Sequence, residues 1–208
     1  MSETRPTVFV VDDEPAIGLS VKRLIRPLGM EVQTFTSARE FLGAERPDGP
    51  ICLVLDVRLP DLSGLEVQEK LAKANVDIPI IFITGHGDVP MTVRAMKAGA
   101  VEFLTKPFRE QDLLEAIQHG IEKHRAARQQ NSELAQLQQR YTSLTARERE
   151  VFPLVTGGFL NKQIAAELGA AEKTIKVHRA QAMQKMQAES LADLVRMAEK
   201  LGVTAGKS

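Results

Sequence analysis

ICLVLDVRLPDLSG, residues 51–64, is the stretch on which the fold turns. The apolar run from Ile51 to Leu55 is too short for a helix, and Cys52–Leu55 suits a strand buried on both faces, with Asp56 just past its end. Working outward, Val8–Val11, Val32–Phe35, Ile80–Ile83 and Val101–Leu104 read as strands of the same kind, each followed by an amphipathic stretch. Helix starts are marked locally: Asp13 and Glu14 before Pro15, the capping box Ser37-Ala-Arg-Glu40, and Asp88 ahead of Val89–Ala98, which Gly99 ends. Five β-α units predict a parallel sheet covered by helices on both sides, with a ligand crevice beyond the C-terminal strand ends.

The chain of 208 residues carries 27 basic and 27 acidic side chains. That balance hides an asymmetry. Residues 1–124 hold 14 Lys/Arg against 19 Asp/Glu, whereas residues 145–208 hold 10 against 7, so an acidic part precedes a mildly basic one. The lone Cys52 lies in the strand run and excludes an internal disulfide. MSETRPT has no apolar signal core and no stretch is long enough to cross a bilayer, which predicts a cytoplasmic protein.

From Gln111 a helical pattern runs through Ile117 and Ile121 and turns Gln- and Arg-rich from Arg125 to Arg140. Leu134, Leu137, Tyr141 and Leu144 recur at helical spacing, but His124, Arg128 and Asn131 interrupt the seam, so a helical linker with weak dimer pairing is expected rather than a strong coiled coil. Thr145-Ala-Arg-Glu148 is a second capping box. Helices follow over Ala146–Thr156, Lys162–Leu168, Glu172–Met186 and Leu191–Leu201. The expected domains are residues 1–124, a linker over 125–143, and an all-α unit over 144–208.

Asp12 and Asp13 follow the first strand and Asp56 the third. In a doubly wound sheet of flavodoxin-like order, 2-1-3-4-5, those strands are neighbours, so the three acids converge on one crevice. Clustered carboxylates repel, and a hard divalent cation is the usual reason to hold them together, with Mg²⁺ suited to a few carboxylates plus water and Mn²⁺ an alternative. Two more strand ends supply the hydroxyl of Thr84 and the cation of Lys106. Helix capping accounts for Asp12 or Asp13 singly. It does not explain all five together, nor a lysine directly before Pro107.

Through VVDDE, LVLDVRLPDLSG, IFITGHGD and VRAMKAGAVEFLTKPF, in order, residues 7–123 resemble the receiver domains of two-component systems. The resemblance implies that a sensor histidine kinase phosphorylates Asp56. It further implies that Asp13, Asp56 and the main-chain carbonyl of Arg58 hold Mg²⁺, that Asp12 acts through the metal's water, that Thr84 and Lys106 bind phosphoryl oxygens, and that Lys106–Pro107 is cis. Phe103 stands at the family's switch position, where a phosphoryl that draws Thr84 inward frees space for an aromatic ring. Without a hydroxyl it can switch by packing alone, and ordinary core is the competing role. Met91, Arg94 and Lys97 mark the expected dimer surface. Arg58 and His86 flank the site where phosphoryl lifetime is tuned.

LTAREREVFPLVTGGFLNKQIAAELGAAEKTIKVHRAQAMQKM is similar to the LuxR-type helix-turn-helix, which with the receiver places the chain in the FixJ branch of the NarL/FixJ regulators. In its third helix Ile175, His178, Ala182 and Met186 share the inward face, leaving Lys173, Lys176, Val177, Ala180 and Gln184 outside. Such a face suits the major groove of promoter DNA, with lysine on guanine and Val177 on a thymine methyl, while Thr174, Lys162 and Lys185 suit phosphates. A solvated charged face is the alternative for any one lysine. His178 fits a packed, hydrogen-bonded role. Two residues depart from the pattern: Ala171 removes a helix cap, at about 1 kcal/mol, and Pro153 should kink the first helix, at about 3 kcal/mol unless accommodated.

A doubly wound phosphatase or flavin protein would need a Gly-rich phosphate loop or a second aspartate two residues after Asp56, and neither is present. The expectation is a non-enzymatic transcription factor that dimerises on phosphorylation, binds DNA and acts with RNA polymerase. The alternative is a constitutive DNA-binding regulator with a vestigial receiver.

Overall fold

The computed structural model describes residues 4–85 and 87–204, so His86, expected beside the site, lies outside the described residues. The chain divides into two compact units, Met1–Arg128 and Gln129–Ser208.

In the first unit the elements alternate: β1 (Thr7–Val11), α1 (Pro15–Ile25), β2 (Glu31–Phe35), α2 (Ala38–Gly43), β3 (Ile51–Asp56), α3 (Gly64–Lys73), β4 (Ile80–Thr84), α4 (Val89–Lys97), β5 (Glu102–Thr105) and the start of α5 (Glu110–Thr142). All strands are parallel, in the order β2-β1-β3-β4-β5. Because strand side chains alternate, the sheet feeds two cores. Phe9, Val11, Leu53, Leu55 and Phe82 pack with Phe41, Val67 and Leu71 on one face. On the other, Val8, Val10, Cys52, Val54, Ile81 and Ile83 pack with Val21, Ile25, Ile117 and Ile121. Burial pushes the Cys52 thiol up to about 12, which removes it as a nucleophile.

Local signals act with small displacements. Ser37 Oγ caps Glu40 N, but Glu40 returns to Thr36 N rather than to Ser37, so the expected box slips by one residue. Glu14 sits at the N-cap of α1 without a side-chain bond, and neither it nor Asp13 caps that helix. Asp88 caps α4 through Met91 N at 2.7 Å.

The second unit takes in the C-terminal part of α5, then α6 (Ala146–Thr156), α7 (Asn161–Glu167), α8 (Glu172–Met186) and α9 (Leu191–Leu201). No strand occurs among its described residues. Leu137 and Leu144 are buried with Val151, Phe152, Ile164, Ile175, Met186 and Leu194. The Tyr141 ring meets Phe152 edge-on at 5.3 Å. Leu137, Tyr141 and Leu144 of the seam expected to pair weakly in a dimer thus belong to this core. Helix α6 runs unbroken across Pro153, and Arg149, whose carbonyl loses its helical donor there, is exposed to solvent that can replace it.

Candidate functional site

Register decides which side chains meet in the first unit. Val11 of β1 lies opposite Leu55 of β3, so Asp12 and Asp56 emerge side by side at the C-terminal edge, and Thr84, ending the next strand β4, pairs with Thr105 of β5. Gly64 lets the β3–α3 loop fold back under this edge: a Cβ there would stand 2.4 Å from the Asp56 carbonyl oxygen. One oxygen each from Asp12, Asp13 and Asp56 lies within 4.8 Å of the others. Asp12 and Asp56 are buried and Asp13 is exposed.

Lys106, which precedes a cis bond to Pro107, donates from Nζ to Asp12 Oδ2 and to Asp56 Oδ2, both at 2.8 Å. The second oxygens are held by the backbone: Asp12 Oδ1 accepts from Glu14 N at 2.9 Å, and Asp56 Oδ1 from Arg58 N at 2.8 Å. Burial raises the Asp12 pKa against the opposing pull of Lys106. Burial would lower that of Lys106, but its hydrogen bonds to the two aspartates outweigh this and raise it. Three convergent carboxylates, one open to solvent, are a donor set that fits Mg²⁺ or Mn²⁺.

Thr84 is fully buried at the end of β4. Phe103 is half-buried, its ring 6.0 Å from that of Phe82, and it packs on the core of that face. Gly87 leaves room for it, since a Cβ there would stand 2.9 Å from Phe103 Cε1.

Of the trio expected on the α4 dimer surface, Met91 is partly buried against the core, Arg94 is exposed and pairs with Glu69 of α3 at 2.5 Å, and Lys97 is exposed. Beside them Val89, Val93 and Met96 form an outward apolar stripe, at 76%, 44% and 41% exposure. Their i, i+4, i+7 spacing was the available signal.

In the second unit, Lys173, Thr174, Lys176, Val177, Ala180 and Gln184 of α8 are exposed, as is Lys162 of α7, while Ile175, Ala182 and Met186 are buried. Lys185, expected on phosphates, pairs at 2.7 Å with Glu148, whose side chain is 3% exposed. Burial opposes the charge on Glu148, but Lys185 and Thr145 hold its carboxyl below the usual range. Inward-facing His178 is packed, but its buried Nδ1 has no hydrogen-bond partner among the described residues. Ala171 stands at the α8 N-cap without a side-chain bond.

The "Response regulator receiver domain" family matches residues 8–118, and "Bacterial regulatory proteins, luxR family" matches residues 142–198. Nodulation protein W of Bradyrhizobium diazoefficiens is 53% identical over 204 residues, covering 98% of this chain and 90% of that protein. Transcriptional regulatory protein FixJ of Rhizobium meliloti is 43% identical over 192 residues, covering 92% and 94%. This chain belongs to the FixJ-like response regulators. Among solved structures, response regulator StyR is similar with TM-score 0.86 at 53% identity, over 95% of this chain and all 100% of that one. Full-length FixJ from B. japonicum gives 0.56 at 38% identity, over 97% and 100%.

The regulator is therefore a transcription factor with a receiver and a LuxR-type DNA-binding domain, and its relatives are regulators rather than enzymes. No helix among the described residues is long and apolar enough to cross a membrane. One residue of the acid site was not foreseen: Glu14, whose carboxylate lies 3.7 Å from Lys106 Nζ at the crevice rim. Its place directly after Asp12 and Asp13 was the signal.

Proposed function

We propose that a sensor histidine kinase phosphorylates Asp56 in a Mg²⁺-dependent step, and that the phosphorylated regulator dimerises and binds promoter DNA more tightly. The observation that carries this reading is Lys106 held 2.8 Å from both Asp12 and Asp56 beside a third carboxylate. In the transfer, the nitrogen–phosphorus bond of the phosphohistidine breaks and an Asp56 oxygen bonds to phosphorus in line. The backbone N–H of Arg58 fixes the carboxylate, and the Lys106 ammonium and Thr84 hydroxyl neutralise charge on the transferring oxygens. Asp12, Asp13, Asp56 and the Arg58 carbonyl are the groups to hold Mg²⁺, or Mn²⁺ in its place, which when bound supplies further charge neutralisation.

Once phosphorylated, Asp56 competes for Thr84 and Lys106, and Phe103 follows Thr84 by packing. The adjoining α4 then offers Val89, Val93 and Met96 to a second copy. Dimerisation brings two α8 helices to half-sites, where Lys173, Lys176, Val177 and Ala180 face bases and Thr174 and Lys162 face phosphates. The promoter-bound dimer acts on RNA polymerase in the cytoplasm.

The test is DNA binding and sedimentation with and without beryllofluoride plus Mg²⁺, for wild type and Asp56→Asn. A gain confined to wild type supports the switch. Equal binding in all four conditions overturns it in favour of constitutive binding.

A further inference from the structure

Gln68 is a buried polar side chain that the acid site does not use, 6% exposed on α3. Its Nε2 donates to two carbonyls at the far end of α4, Ala95 O and Ala98 O, both at 3.2 Å. Since both partners are acceptors, only the amide nitrogen of Gln68 can face them. A helix end leaves carbonyls without intrahelical donors, and this end is closed partly by its own chain: Ala98 N reaches Arg94 O, Gly99 N reaches Met96 O, and Ala100 N reaches Ala95 O. The second acceptor of Gln68, Ala98 O, lies just beyond those bonds. Beside it, Glu69 of α3 pairs with Arg94, and Ala95 is fully buried.

The opposite end of α4 is held differently. Its cap comes from its own segment, through Asp88 to Met91 N and Thr92 Oγ1 to Asp88 O. Val89 there is 76% exposed. One end of the helix is therefore hydrogen-bonded to α3 through the buried Gln68 amide, whereas among the described residues the end nearest Thr84 is capped by its own segment and touches the core through Met91.

We infer that Gln68 is a positioning residue that anchors the C-terminal end of α4, so that the phosphoryl signal swings the helix about Ala95 and Ala98 and turns its apolar stripe toward a second copy. This rests on the phosphoryl-driven dimerisation proposed above. Without the anchor, the displacement at the Thr84 end dissipates by sliding and fraying at the Ala98 end, and the stripe is no longer presented in one orientation.

The test compares full-length wild type, Gln68→Leu, Gln68→Glu and the core control Leu71→Ala. Leucine removes the donors, glutamate replaces them with acceptors, and Leu71→Ala weakens the same helix while sparing the amide. Hydrogen exchange at Ala98, Gly99 and Ala100 in the unphosphorylated protein reads the anchor itself, and the dimerisation gain with beryllofluoride plus Mg²⁺ reads its role in switching. Both Gln68 variants are expected to exchange faster at these amides and to lose about tenfold of the gain, a coupling of ordinary allosteric size. Leu71→Ala is expected to lower the melting temperature and keep the gain. The inference is overturned if the Gln68 variants exchange like wild type, if they keep the full gain, or if Leu71→Ala loses as much. A wild type with no gain would instead sink the phosphoryl reading, and the exchange data would still decide whether Gln68 anchors α4.

Discussion

Lys106 Nζ lies 2.8 Å from Asp56 Oδ2, on residues separated by 50 positions and brought together at the C-terminal edge of one sheet, across the end of β4. The pair is largely buried, with the lysine side chain 16% and the aspartate 8% exposed. Buried charges are costly to separate, because the group left behind is stranded in a medium that solvates it poorly. The contact therefore holds the two groups in readiness, and a phosphoryl on Asp56 would take over the same ammonium.

Lys106→Met is expected to slow phosphorylation of Asp56 by acetyl phosphate about a hundredfold, the usual cost of losing one preorganised charge at a transferring group. Asp56→Asn is expected to abolish it. Phosphorylation followed by Phos-tag electrophoresis checks both, and a Lys106→Met rate close to wild type would remove Lys106 from the chemistry.

His124 provides a pH dependence away from the acid site. Its Nδ1 accepts a hydrogen bond from Ile51 N at 2.8 Å, where β3 begins, so the folded ring must be neutral at that nitrogen. Burial lowers its pKa below the ordinary 6.5, the charge of Arg128 adds to the effect, and Asp77 opposes it. Above the unfolded value both states are neutral and the bond is intact. As pH falls below it the unfolded chain binds a proton first, so stability drops until the lowered folded value is passed. His124→Leu is expected to cost about 1 kcal/mol at high pH, from the unpaired Ile51 N–H, and less as the pH falls through that window. Urea unfolding of both proteins across the window checks this, and a pH-independent difference would refute it.

Much of the receiver was legible because its signals are local: short apolar runs give strands, and their order gives the sheet. The acids converge because Asp12 and Asp13 directly follow β1 and Asp56 ends its neighbour β3. Two features were not legible. Lys185 and Lys162 are alike as sequence, and only the packing of α8 against α6 reveals that one of them faces a buried Glu148. Leu137 and Tyr141 have the spacing of a coiled-coil seam, and only the fold shows that Phe152 covers them from within the chain.

That second point bears on where the DNA-binding domain begins. A fragment over residues 129–208 keeps Leu137 and Tyr141, whereas one over residues 144–208 exposes the core they cover. Removing two such side chains is expected to cost about 3 kcal/mol or more. Thermal unfolding of the two fragments should place the longer one well above the shorter, and equal melting temperatures would show that α5 adds nothing to this core.

Helix α4 yields a contrast between Val93 on its exposed stripe and Met91 two positions earlier. Val93→Glu puts a charge in the proposed dimer contact and is expected to reduce beryllofluoride-induced dimerisation at least about tenfold, since an unpaired charge in an apolar contact is strongly disfavoured. Met91→Leu, at a position packed on the core, should leave it nearly unchanged. Sedimentation distinguishes them, and a Val93→Glu protein that dimerises like wild type would move the contact elsewhere.

The lysines of the DNA-binding unit separate into three behaviours because their surroundings differ. Lys162 is exposed on α7 and faces a proposed phosphate, so Lys162→Ala should weaken binding on all sequences alike and reduce the salt slope by about 1. Lys176 is exposed on the proposed reading face of α8, and Lys176→Ala should cost about 1–3 kcal/mol on the operator and relax the preference at one base pair. Lys185→Ala should change neither the salt slope nor the preference. It should instead destabilise the unit by about 2 kcal/mol, since it strips a charged hydrogen bond from the buried Glu148. Salt-dependent binding to operator and random DNA, combined with thermal unfolding, reads all three. A Lys185→Ala protein that melts like wild type but loses salt dependence would return that lysine to the DNA backbone.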